Sequence, residues 1–108
     1  MVHNSSCMDP MLDDEGEAYV RGKHFPGGAN VDESKGLFDP NVDLDELVNQ
    51  SAGSTPSDPN PAGFYERITD AGKIIGQTSR ISGSMPTSWF MLVQDQYGAV
   101  ITMYPISP

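Results

Sequence analysis

The chain has 108 residues, 15 Asp+Glu against 6 Lys+Arg, and one cysteine. That length suits one domain with a core of its own and no need of staples. Cys7 alone excludes an internal disulfide framework and a cysteine-based zinc site. No stretch approaches the ~20 apolar residues of a membrane span, and no apolar run follows the N-terminus as a signal peptide requires. The expectation is a cytoplasmic, loop-rich monomer without membrane contact, its loops supplied by 11 Gly and 9 Pro.

Charge is unevenly spread. Residues 1–20 hold Asp9, Asp13, Asp14, Glu15 and Glu17 with no Lys or Arg, whereas residues 62–108 balance Arg67, Lys73 and Arg80 against Glu66, Asp70 and Asp95. Such a balance disfavours nonspecific polyanion binding, which needs a basic footprint, but leaves room for a site with a few placed cations.

In chain order, residues 1–20 read as a flexible acidic leader, with a short helix beginning near Glu17, and residues 21–108 as a single domain. Asp43 to about Gln50 is the clearest helix. Asp43 and Glu46 have the spacing of a capping box, and Leu44, Leu47 and Val48 form an i, i+3, i+4 stripe. Residues 51–62 are a Ser/Pro/Gly loop. Beyond them, 64–69 and 73–77 flank a turn at Asp70-Ala71-Gly72, and 87–95 and 99–104 flank Gln96-Tyr97-Gly98. The expected fold is α+β, with short N-terminal helices on one face of a roughly four-stranded antiparallel sheet.

Placing Gln94 opposite Ala99 in the last hairpin sets Phe90 against Met103 and Trp89 against Tyr104. Phe90, Leu92, Ile101 and Met103 then form an apolar face for the helix. Thr87, Trp89, Met91, Val93, Val100, Thr102 and Tyr104 form a mixed aromatic and hydroxyl face. Aligning the apolar faces of the two hairpins brings Arg67 to the side of Thr102.

Metal hydrolysis has little support, because His3 and His24 are far apart and no HExxH or calcium loop is present. No P-loop, dinucleotide fingerprint or GxSxG is present either, so neither metal nor cofactor is expected. What remains is acid–base chemistry on a phosphodiester: a base for the ribose 2′-OH, an acid for the leaving 5′-oxygen, and a cation for the developing charge. His24 is the group whose ordinary pKa suits this near neutrality. Lys23 and Arg67 offer charge, Thr87, Thr102 and Tyr104 offer hydroxyls, and Trp89 offers a stacking surface.

Gly22-Lys23-His24-Phe25-Pro26, followed by the acidic, serine-containing Val31–Lys35 and a short helix, resembles the opening of C-terminal toxin domains in bacterial polymorphic and contact-dependent inhibition systems. Asp70–Gly76, the Pro86-Thr87-Ser88-Trp89 run and Asp95–Ile106 are similar to their recurrent ending. The resemblance spans residues 21–106. It implies the fold shared by barnase, EndoU, colicin nucleases and RelE, and a metal-independent ribonuclease cutting RNA, often tRNA. It further implies delivery into a target cell's cytoplasm and a cognate immunity protein. On that pattern His24 is the general acid/base and Thr87, Thr102 or Tyr104 line the scissile phosphate; together with the residue reading, the expected catalytic set is His24, Arg67, Thr102 and Tyr104, with Lys23, Thr87, Ser88 and Trp89 binding substrate. The acidic balance keeps two alternatives open, a non-catalytic binding or immunity-type protein and a toxin enzyme acting on another substrate such as NAD. His24 is expected to be exposed, so that its removal takes activity and little stability.

Overall fold

The computed structural model describes residues 8–107; His3, Cys7 and the first part of the expected leader lie outside the described residues. Its first helix, α1, spans Asp14–His24. Asp13 caps it, accepting the Gly16 N–H at 2.8 Å, and the acids that follow complement the helix dipole. Phe25 is extended and ends it, ahead of Pro26 and a left-handed Gly27. The acidic run that reads as a leader is therefore a helix start, and the expected boundary at residue 20 falls inside α1. Residues 8–11 are also held: Met8 and Met11 donate to the carbonyls of Gln96 and Gly98, and Val100 donates to Met11.

The second helix, α2, spans Leu44–Ser51. Asp43 accepts the N–H groups of Asp45 and Glu46, and Leu44, Leu47 and Val48 are buried, as the stripe requires.

Among the described residues the strands are β1 (Leu37–Phe38), β2 (Tyr65–Asp70), β3 (Gly76–Gln77), β4 (Pro86–Thr87), β5 (Trp89–Gln94) and β6 (Val100–Pro105). They make two antiparallel sheets of three, ordered β1-β3-β4 and β2-β5-β6, so the fold is α+β. The hairpin expected across Asp70-Ala71-Gly72 does not form. An Asx turn, in which Gly72 donates to Asp70 at 2.9 Å, takes the chain out of the larger sheet. β2 pairs instead with β5, and β3 joins β1 and β4.

Gly76 explains the second arrangement. A Cβ there would overlap the Leu37 carbonyl and stand 2.8 Å from the Phe38 Cα, so only glycine lets β3 lie against β1. Gly76→Ala is expected to cost about 2 kcal/mol, read as a lower urea midpoint at unchanged slope.

The last hairpin turns as expected, with Gly98 at φ 96°. Its register differs. Gln94 faces Val100, a bulge follows, and Val93, Leu92, Met91 and Phe90 face Thr102, Met103, Tyr104 and Pro105. Trp89 therefore lies beside Asp70 of β2 rather than opposite Tyr104.

Paired residues share a face, which divides the larger sheet cleanly. Tyr65, Arg67, Thr69, Phe90, Leu92, Gln94, Val100 and Met103 point into the core. There Val20, Phe38, Leu44, Leu47 and Ile75 complete the apolar cluster. Glu66, Ile68, Asp70, Trp89, Met91, Val93, Thr102 and Tyr104 form the opposite face. Among the described residues no helix is long and apolar enough to cross a membrane.

Candidate active site

His24 is the last residue of α1, and the turn after it is built to hold it. Gly28 donates to Phe25 and Asn30 to Gly22, folding residues 25–30 back under the helix end. A side chain at Gly28 would strike the carbonyls of Arg21 and Gly22. Phe25 packs on Phe38 with ring centroids 5.7 Å apart. The imidazole is buried, only 7% exposed, contrary to the exposed turn histidine expected.

Two contacts orient it. Nδ1 lies 2.9 Å from the Gly36 carbonyl, which can only accept, so Nδ1 carries the proton. The ring stacks on Tyr104 at 5.4 Å with an interplanar angle of 30°. Nε2 has no hydrogen-bond partner among the described residues and is the basic nitrogen of the neutral ring. Gly36 owes its place to its missing side chain: a Cβ would stand 2.7 Å from the Pro105 carbonyl. It is a site residue that the sequence reading missed. Its only signal was a glycine after Lys35.

Burial is the main influence on His24 and lowers its pKa below the ordinary 6.5, with Lys35 and Lys23 adding to the effect and the Gly36 bond opposing it. A histidine so shifted binds fewer protons folded than unfolded. Its contribution to stability is therefore full above about 6.5 and declines as the pH falls below that value. Urea midpoints at about pH 7.5 and about pH 5.5 should show a smaller acid loss for His24→Gln than for the parent.

Tyr104 is half-buried. Burial, and secondly the charge of Glu66, raise its pKa above the usual phenol value, so its hydroxyl stays protonated. Glu66 was not among the expected site residues, yet it shares the open face with Tyr104 and Thr102. Its signal was the alternation of β2 read in the opposite phase. The Thr102 hydroxyl is buried and without a partner among the described residues.

Arg67 is not part of this group. It projects into the core, 4% exposed, where Nε donates to Gln94 Oε1 at 2.7 Å and Nη1 to the Ser54 carbonyl at 2.6 Å. Longer bonds reach the Ser51 and Ala52 carbonyls at the end of α2, whose last turn holds no basic residue. Arg67 is a cap for that helix.

The expected binding residues divide. Lys23 lies beside His24, its ammonium 5.0 Å from the Tyr19 ring. Trp89 is half-buried on the open face. Thr87 is buried and structural, donating to the Ile106 carbonyl at 2.7 Å and accepting from Trp89 N–H. The Ser88 hydroxyl bonds to Asp70 and helps hold that carboxyl below its usual range, after the larger effect of the Gly72 N–H. Among the described residues no cluster of three or more His, Cys, Asp or Glu could hold a metal ion.

The arrangement is thus a neutral, oriented imidazole at the rim of the sheet face opposite the core, a partly buried face, beside a protonated phenol, a carboxylate and a lysine. No protein-family model matches the chain, and no curated protein matches it.

Proposed function

We propose that the protein is a metal-independent ribonuclease whose base is His24. The observation that carries this reading is the Gly36–His24–Tyr104 arrangement, in which Nδ1–H is anchored to a carbonyl and Nε2 is left as an acceptor. Nε2 takes the proton of the ribose 2′-OH as that oxygen attacks phosphorus. The P–O5′ bond breaks, and the Tyr104 hydroxyl supplies the proton to the leaving oxygen. A 2′,3′-cyclic phosphate and a 5′-hydroxyl result. The imidazolium returns its proton to the phenolate, which restores both groups.

With Arg67 committed to the core, Lys23 and Lys35 are the cations whose charge is felt at His24, and they are assigned to the phosphorane. The Thr102 hydroxyl is buried and takes no part in this step, and Trp89 supplies stacking on that sheet face. On this reading the substrate is RNA, tRNA foremost, met in the cytoplasm of a target cell, and an immunity protein neutralises the monomeric enzyme.

A second reading draws on the clefts near the starts of α1 and α2. One is lined by Glu17, Asp43 and Asp45 with Arg21, another by Asp39, Asp43 and Glu46 with Lys73, so acids outnumber cations in each, as suits a non-catalytic acidic binding protein. Incubation with total tRNA in EDTA separates the two. Discrete fragments ending in cyclic phosphate are the expected result. Intact RNA at every enzyme concentration would transfer the assignment to the binding protein.

A further inference from the structure

Beside the imidazole, between the smaller sheet and the end of β6, lies a cleft of about 310 Å³. Its polar lining comes from Ser34, Thr78, Ser79, Ser82, Tyr104 and Ser107, and the Gly36 that anchors His24 forms part of its wall. Among the described residues no carboxylate lines it. That is unusual in a chain with 15 acids, since three other clefts on the surface each carry two or more.

The hydroxyls are set as donors. Thr78 Oγ1 accepts the Met85 N–H at 2.9 Å and Ser79 Oγ accepts the Ser82 N–H at 3.1 Å, so each keeps its own proton to give. The side chains of Ser82 and Ser107 have no hydrogen bond among the described residues. Only Ser34 spends its proton internally, on Asp32, a carboxylate that Lys35 also pairs at 3.4 Å. Arg80 stands exposed in the turn between Ser79 and Ser82. Several O–H donors and, among the described residues, no lining carboxylate suit a ligand rich in acceptors and negative in charge.

We propose that this cleft is the subsite for the phosphodiester next to the scissile one, gripping the backbone of single-stranded RNA through Thr78, Ser79, Ser82 and Ser107. The assignment rests on the ribonuclease reading for its substrate but not for its test. Because the contacts go to phosphate oxygens, the subsite sets affinity and register and leaves base choice to the open sheet face.

The experiment is an NMR titration with a single-stranded oligonucleotide of about six nucleotides carrying 2′-deoxyribose throughout, which the proposed reaction cannot cut. Tested beside the parent are Ser82→Ala/Ser107→Ala, which breaks no internal bond, and Ser82→Asp, which adds charge without removing packing. Expected are amide shifts at residues 78–82 and 106–107, affinity about tenfold weaker for the double alanine variant, and weaker still for Ser82→Asp. Cleavage of RNA run in parallel should show a raised KM for both. Equal affinity in all three proteins, shifts confined to other surfaces, or no binding by the parent would overturn the subsite. Binding with the expected pattern but no cleavage would leave the subsite standing and remove the ribonuclease. Cleavage with unchanged KM in Ser82→Asp would do the reverse.

Discussion

His24→Gln is expected to slow RNA cleavage by about a hundred- to ten-thousand-fold, the usual worth of a positioned proton-transfer group. Glutamine can still donate an N–H toward Gly36, but it offers no basic nitrogen where Nε2 stood. Since the imidazole is buried against Tyr104, the substitution also costs some stability, and rates should be compared well below the unfolding temperature. The pH profile distinguishes a base from a scaffold. Burial holds the His24 pKa below 6.5, so the parent's rate should climb with pH on the acid side and level off before neutrality. The variant's residual rate should lack that limb. Tyr104→Phe keeps the stacking and removes the hydroxyl, and should lower the rate with little change in midpoint. Full activity in folded His24→Gln would take the imidazole out of the mechanism.

Arg67→Met should lower the unfolding free energy by about 3 kcal/mol, within the range for removing one partner of a buried charged network. Methionine fills much of the volume but leaves Gln94 Oε1 and the Ser54 carbonyl without their donor in a dry setting. Arg67→Lys should recover only part of the loss. One ammonium cannot meet both the glutamine and the helix end in the fork geometry that a guanidinium supplies. Per folded molecule, cleavage by either variant should match the parent, measured as kcat at a temperature where both are folded. A selective fall in kcat, with an unchanged urea midpoint, would return Arg67 to the site where the sequence pattern had put it.

Those two residues show what the sequence made legible. The local signals carry through to the structure: Asp43 caps α2, Leu44, Leu47 and Val48 form its buried stripe, and residues 95–98 make the glycine turn. So does the sorting of Trp89, Met91, Val93, Thr102 and Tyr104 onto one face, although their pairing differs. The bulge and the turn together displace Thr102 and Tyr104 by two places along β5, and an even slip preserves alternation. Val100 lies at the bulge itself and is buried in the core, where the alternation had placed it outward, and Ile101 is the unpaired residue. Arg67 was misplaced for another reason. A charged residue in an alternating strand reads as outward, and nothing local announces a helix end and a buried glutamine waiting inside. His24 depended on Gly36, twelve residues away, and its burial follows from a fold-back that composition alone presents as a loose glycine turn. The pairing of β3 with β1 depends on the missing Cβ at Gly76, which no local signal announces.

The buried Gln94 has a kinetic consequence. Its amide donates to the Met8 carbonyl at 2.7 Å while its oxygen receives Arg67, so early and late parts of the chain meet at one side chain. Residues 8–11 are made long before β5 and β6 and have nothing to bind until those strands exist. During synthesis α1 therefore emerges without the sheet edge it rests on, and α2 emerges without its cap. Loop closure over most of the chain must precede the stabilising contacts, which places this fold among the slower ones for its size. The imidazole likewise acquires its stacking partner, Tyr104, only once β6 has been made.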